Sequence, residues 1–269
     1  MAIIKGAIQM TGSIRGVSFY TRRGSDKVIM RTKGGVSKEK MAKAPQYESL
    51  RKNQKEWGGC TKFGSMTRFA FGGLHRLADY NLTSVLNGMG KNLMKLDVES
   101  ELGKRRLQLS QHKQAMEGFN FNRNYPFNSV LRVGITCDIN RETLQATVKV
   151  PRINAANDIL NIQRLPYYRL IIVLGTVTDW YFSEAEQAYV PAELNLNGVS
   201  EIYTGPWVQT QGISSEQTVT VQMNEAQQAL VADDVTVLVS MGIEFGQIGF
   251  LGEPVEVKYA GCGKVIAVQ

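Results

Sequence analysis

The amino-acid sequence predicts an α+β fold built from an N-terminal β-hairpin arm, a small helical segment and a C-terminal antiparallel β-sandwich or jelly roll. Three observations predict it. Gly6, Gly12, Gly16 and Gly24 separate short β-prone pieces, apolar spacing turns helical from Pro45 to about Ser110, and β-prone runs with turn residues between them fill the chain after Gly118. The expected boundaries are 1–43 for the arm, 44–118 for the helical region and 119–269 for the β domain.

Within the arm, residues 3–35 read as a glycine-turned meander. Its clearest piece is residues 17–31, VSFYTRRGSDKVIMR, where two β-prone runs flank a short connection containing Gly24. A two-stranded ribbon is marginal in water on its own. Val17, Phe19, Val28 and Met30 therefore need a surface to cover them, on this chain or on a neighbour, which makes the arm a candidate strand donor.

In the helical region, Pro45 suits a first helical position, Tyr47, Leu50 and Trp57 share a side, and Gly58-Gly59 is the expected stop. A second apolar stripe runs through Phe63, Met66, Ala70, Leu74 and Leu77, and a third through Leu82, Val85, Leu86, Met89, Leu93 and Leu96. Such stripes must pack on each other or on a sheet. Residues 101–110, ELGKRRLQLS, read as a basic surface connection, followed by a short helix with Ser110 as N-cap and Gly118 as stop.

The β domain opens with FNFNRNYPF at 119–127 and a hairpin whose turn is Asn140-Arg141-Glu142, and about six more strands follow. One domain of this length is ordinary for a β-sandwich.

With 269 residues, 43% hydrophobic and 20% charged, and with 26 Gly but 7 Pro, the composition is that of a folded chain rather than a collagenous or low-complexity one. The longest strongly apolar run, Leu170 to Leu174, falls far short of the roughly 20 residues a membrane-spanning helix needs. The opening residues lack a signal-peptide pattern, so the expectation is a chain made in the cytoplasm without Sec export. Its final setting is expected to be a particle or filament released from the cell. Cys60, Cys137 and Cys262 are too few and too far apart for a disulfide framework or a zinc signature, and are expected to be buried thiols.

Charge is segregated along the chain. Residues 1–134 hold 24 Lys and Arg against 9 Asp and Glu, whereas residues 135–269 hold 7 against 15. Clustered cations suit two partners: a nucleic-acid backbone, bound through counterion release, or the acidic part of a second copy, bound head to tail.

No catalytic, cofactor or metal residue is assigned. His75 and His112 have no metal-ligand spacing around them, and Gly261-Cys262-Gly263-Lys264 lacks the remaining residues of a phosphate loop. Glu184, Glu186, Asp233 and Asp234 form no recognisable acid-base pair and read as an acidic face. Trp180, Tyr181, Phe182, Tyr203 and Trp207 are candidate sugar-stacking rings, read first as core and interface aromatics. Basic and aromatic residues interleave at 18–24 and 66–76, as in single-strand binders, without any recognition motif beside them.

Several short motifs carry a resemblance. They are Gly6, Gly12-Ser13-Ile14, Val17-Ser18-Phe19-Tyr20, Arg31-Thr32-Lys33-Gly34-Gly35, Pro45-Gln46-Tyr47, Arg51-Lys52-Asn53, Glu56-Trp57-Gly58, Gly118-Phe119-Asn120-Phe121-Asn122 and Gly242-Ile243-Glu244-Phe245. With them the chain resembles a group of uncharacterised Bacteroidota proteins of about this length, departing from it at Trp57, where that pattern has phenylalanine. The resemblance implies an organism group. It carries over no activity and no site.

The expectation is thus a non-enzymatic structural protein that self-assembles into a ring, tube or filament of phage-like kind. Arg15, Phe19, Tyr20, Arg22, Arg23, Lys27, Arg31 and Lys33 of the arm would meet Glu184, Glu186, Asp233 and Asp234 of the next copy. The expected partners are copies of the chain and other virion-like or assembly subunits. The alternative is sequence-independent nucleic-acid binding through the same arm and helices.

Overall fold

The computed structural model describes residues 2–4, 11–21, 27–32 and 35–269. The chain divides into two compact units, Met1–Arg51 and Lys52–Gln269.

The first unit contains strands β1 (Ala2–Ile4), β2 (Gly12–Ile14), β3 (Val17–Thr21) and β4 (Val28–Thr32) and helix α1 (Lys38–Lys43). The expected hairpin forms, with Phe19 opposite Met30 and Val17 opposite Thr32. It sits inside a four-stranded antiparallel sheet of order β1-β4-β3-β2, so the first strand crosses to the far edge instead of continuing a simple meander. Arg15 and Gly16, with φ of 41° and 85°, turn β2 into β3 as a two-residue hairpin connection of this hand requires. Alternation along β4 sends Val28 and Ile29 to opposite faces. Both are buried, so this strand is covered on both sides at its start. Ser37 caps α1, and the Arg51 guanidinium holds the carbonyls of Met41 and Ala44 at 2.8 and 3.0 Å.

Helix α2 (Glu48–Ala70) begins in the first unit and continues into the second. It does not stop at Gly58-Gly59. Gly59 belongs there for packing, because a Cβ on it would lie 2.6 Å from the Tyr189 ring. The buried residues of α2 include Glu56, Cys60, Phe63, Thr67 and Ala70, whereas Trp57 is 48% exposed. The stripe predicted to run on through Leu74 and Leu77 is broken after Ala70 by Gly72 and Gly73, with φ of 53° and 87°, and those two leucines sit in a separate 3₁₀ turn. Helix α3 (Leu82–Leu96), capped by Asn81, buries Leu82, Leu86 and Leu93 of the predicted stripe, half-buries Val85 and Met89 and leaves Leu96 exposed.

The rest of the second unit is mainly β. It comprises α4 (Phe127–Val130), β5 (Thr136–Asn140), β6 (Gln145–Val150), β7 (Ile153–Asn154), α5 (Ala155–Asp158), β8 (Tyr167–Thr178), β9 (Trp180–Ser183), β10 (Ala188–Pro191), β11 (Val199–Thr204), β12 (Val208–Gln209), β13 (Ile213–Ser214), β14 (Gln217–Gln222), α6 (Glu225–Gln228), β15 (Val235–Ile248) and β16 (Pro254–Val268). Two expectations fail here. The strand expected at 119–127 is reduced to a bridge from Asn120 to Lys264, after which the chain turns helical at α4. The helix expected after Ser110 is only a 3₁₀ turn at Lys113–Ala115, because the Ser110 hydroxyl is committed to Asp179 instead of capping.

The large sheet runs β11-β8-β15-β16, with β12 also on β8, and a smaller one runs β14-β6-β5. Leu170, Ile172 and Leu174 of β8 and the alternate residues Val235 to Phe245 of β15 share one core with Ala146, Val148, Val150, Val219 and Val221 of the small sheet. On the opposite face, Ile171, Val173 and Val177 of β8, Leu238 of β15 and Val265 of β16 share a second core with Phe63, Phe71, Leu74, Leu86 and Met94. The large sheet is thus covered on both faces. This is why β8 and β15 read as continuous apolar runs instead of alternating ones.

Candidate functional site

Of the cations assigned to the arm's interface, Arg15, Lys27 and Arg31 are described, and they are exposed at the two ends of its sheet. Arg15 is in the β2–β3 turn and Arg31 pairs with Ser18 near that end, while Lys27 precedes β4 at the other end. Phe19 and Tyr20 are half-buried and alternate to opposite faces. Arg22, Arg23 and Lys33 lie outside the described residues.

The acidic residues fall in two places. Glu184 and Glu186 occupy the turn between β9 and β10, and Asp233 and Asp234 lead into β15. Glu184 already has an in-chain cation, since Lys104 of the basic connection pairs with it and lowers its carboxyl below the usual range. Glu186 and Asp233 are exposed. Asp234 accepts the Asp179 amide on its backbone carbonyl at 2.9 Å and lines a hollow of about 470 Å³ together with Asp179, Trp180, Tyr181, Lys104 and Arg106. Burial raises the Asp179 carboxyl, and nearby Asp234 adds to this, although two bonds from Ser110 oppose it: Oγ to Oδ2 at 2.6 Å and the amide to Oδ1 at 3.0 Å.

The five candidate stacking rings do not form one surface. Trp180 is buried, Tyr181 exposed and Phe182 half-buried at that hollow, Phe182 packing edge-on against Tyr189. Tyr203 packs against the core between the two sheets, and Trp207 lies beneath the Arg169 guanidinium at 4.4 Å. His75 sits in the 3₁₀ turn, its pKa lowered by burial and by Arg68 and Arg76. His112 precedes the turn at Lys113–Ala115. Gly261 to Lys264 lie within β16, with Gly261 opposite Glu244 and Gly263 opposite Gly242. Among the described residues no group of three or more His, Cys, Asp or Glu converges to hold a metal, and no helix is long and apolar enough to cross a membrane. Cys60 and Cys262 are buried and Cys137 is half-buried, and burial pushes these thiols up to about 11, about 12 and about 11 respectively.

Sequence reasoning missed two interior ion clusters. Glu56, on the buried side of α2, receives Arg105, Lys91 and the Gly103 amide. Its signal was the spacing of 56, 60, 63, 67 and 70, which places a carboxylate in line with the buried face. Glu244, near the end of the apolar run of β15, accepts Arg76 and Arg169, each at 2.7 Å. A lone carboxylate in such a run requires a buried cation. The first cluster ties α2 to the connection after α3, and the second ties the 3₁₀ turn to the sheet.

Charge divides by unit. Residues 1–51 carry 11 Lys and Arg against 3 Asp and Glu, while residues 52–269 carry 20 against 21. The excess of positive charge therefore belongs to the first unit alone. No protein-family model, curated protein or solved structure matches the chain.

Proposed function

We propose that the chain is a non-enzymatic structural protein that assembles head to tail with copies of itself, its basic N-terminal sheet engaging the acidic, β-sandwich part of the next subunit. The observation that carries this reading is the first unit: it is compact by itself, holds the whole positive excess and ends in two edge strands, β1 and β2. An edge strand offers main-chain groups for strand addition. The exposed Glu186 and Asp233, beside Glu184 and Asp234, supply opposite charge. Such a contact is heterologous, and it closes into a ring or propagates as a tube or filament of phage-like kind.

Electron microscopy and light scattering on nuclease-treated full-length protein test this at low and high salt. Regular particles free of nucleic acid are expected at low salt, and the pair Arg15→Glu and Arg31→Glu is expected to leave monomers. The same basic unit also fits a nucleic-acid backbone. A monomer that retards DNA and RNA with a steep salt dependence would replace assembly by that reading.

A further inference from the structure

The β15–β16 hairpin extends beyond the rest of its sheet. β8 leaves β15 at Gly246, opposite Tyr167, yet the β15–β16 ladder continues through Gln247 with Val255 and Ile248 with Pro254. Residues 247–255 are therefore a two-stranded finger. Its end is closed by the Gly249 amide on the Glu253 carbonyl at 2.8 Å and the Gly252 amide on the Gly249 carbonyl at 3.1 Å. That end presents Phe250 at 104% exposure and Leu251 at 87%, with Ile248 exposed behind them.

The stem of the same hairpin lines a hollow. Phe245 and Tyr259, together with Val130, Leu160 and Ile162, form the apolar part of a cavity of about 200 Å³ that polar residues, Asp79 and Asn124 among them, also line. A closed apolar cavity of about 150 Å³ accepts a benzene ring, so this one has room for the ring of Phe250. Phe245 and Phe250 are five residues apart, roughly 17 Å along an extended strand. The tip cannot fold back into a cavity lined by its own stem without breaking the ladder, so the cavity that fits it is on another molecule.

Charge narrows the partner. The finger, residues 247–255, contains Glu253 and no Lys or Arg, so it brings no cation to an anionic lipid surface. We infer that the finger of one chain seats Phe250 in the stem cavity of a second copy, and that the second copy returns the contact across a two-fold axis. Knob and cavity lie on one hairpin, so two hairpins side by side and antiparallel satisfy both contacts at once, as an isologous pair requires. Two aromatic tips and their two cavities bury on the order of 1,000 Å², about the minimum for a specific interface. The contact uses none of the arm residues and stands apart from the head-to-tail reading.

Sedimentation of the full chain in about 0.5 M salt, where charge contacts are screened within a few Å, isolates it. A dimer is expected, and Phe250→Asp is expected to raise its dissociation constant roughly 100-fold or more. Asn124→Trp, in the cavity lining, is expected to do the same from the receiving side. Because Phe250 is fully exposed in the monomer, an unchanged melting temperature verifies that Phe250→Asp still folds. A photoreactive phenylalanine at position 250, in mixed light- and heavy-isotope protein, is expected to cross-link to peptides containing 124–130 or 159–163 of the other copy. A wild-type monomer, a dimer indifferent to Phe250→Asp, cross-links elsewhere, or Phe250-dependent binding of monomers to phosphatidylcholine vesicles would each overturn the inference.

Discussion

Arg105 takes both carboxylate oxygens of Glu56, Nε to Oε1 at 2.7 Å and Nη2 to Oε2 at 2.6 Å. This fork ties the connection after α3 to the middle of α2. The Gly103 amide adds a third bond at 2.8 Å, and Lys91 of α3 approaches Oε2 as well. Two segments, α3 and the connection after it, thus converge on one carboxylate of α2 with no side-chain exposure. A buried charge so surrounded is costly to strand: removing a partner leaves it desolvated with nothing to replace water.

Arg105→Ala is therefore expected to destabilise the protein by about 3–5 kcal/mol, read by urea unfolding at neutral pH. The acid limb follows from the carboxyl itself. Burial would raise it, but Arg105, Lys91 and the Gly103 amide outweigh burial and hold it at about 2, against an ordinary value of 4.5. A carboxyl depressed by folding stabilises fully above its unfolded value and loses that contribution as pH falls through the folded one. Roughly 3 kcal/mol should disappear between pH 4.5 and 2. Glu56→Gln should flatten this limb, and an unaltered pH profile in that variant would remove Glu56 from the account.

Ser110 and Asp179 give a shift of the opposite sign. Burial raises the Asp179 carboxyl, so its charged form costs stability above the folded pKa and that cost is relieved as pH falls through it. The Ser110 hydroxyl lowers the cost by donating to Oδ2 at 2.6 Å. Ser110→Ala should be destabilising by about 1–3 kcal/mol at pH 7, and by less at pH 4, where more of the carboxyl is protonated. A loss independent of pH would mean that the bond matters only for packing.

The parts of the fold legible in the sequence were those set by local pattern. The hairpin 17–31 was readable because β-prone runs flank a glycine-containing connection, and α3 because its apolar residues recur at helical spacing. The extent of α2 was not, because Gly58-Gly59 signals a stop locally, while the reason for Gly59 is a tyrosine ring 130 residues away in sequence. Nor was the commitment of Ser110 to Asp179, a contact that exists only after β9 returns to the connection. At the candidate surfaces the sequence placed the charges but not their neighbours. Lys104 beside Glu184 and Trp207 beneath Arg169 come from tertiary contacts that no local spacing encodes.

Gly175 marks where the helical layer meets the large sheet. A Cβ on this β8 residue would lie 2.0 Å from the carbonyl oxygen of Ala70, the last residue of α2. The obstacle is backbone on both sides, so no rotamer change relieves it. Gly175→Ala should push the end of α2 off the sheet and cost about 1–3 kcal/mol or more. Gly88→Ala, on the open side of α3 with nothing within 4 Å of its Cβ, should be neutral or stabilising by up to about 1 kcal/mol. Thermal melts of the two variants test the contrast, and equal melting temperatures would mean that α2 does not approach β8 as closely as the backbone contact requires.

Arg169 shows why a lysine would not serve at the second interior cluster. Its Nε meets Glu244 Oε2 at 2.7 Å, its Nη2 reaches Glu256 at 3.2 Å, and its Cζ lies 4.4 Å from the Trp207 ring centroid. Arg76 completes the cluster from the 3₁₀ turn, at 2.7 Å from Glu244 Oε1. A lysine ammonium is a point charge that keeps one of these contacts and forfeits the others. Arg169→Lys should cost about 1–2 kcal/mol, and Arg169→Ala about 3–5 kcal/mol, because Glu244 is almost fully buried and would then rely on Arg76 alone. A double-mutant cycle of Arg76→Ala with Arg169→Ala should be non-additive, since both arginines answer one carboxylate. Strict additivity would mean that Glu244 is solvated in solution and that the cluster does not hold the turn to the sheet.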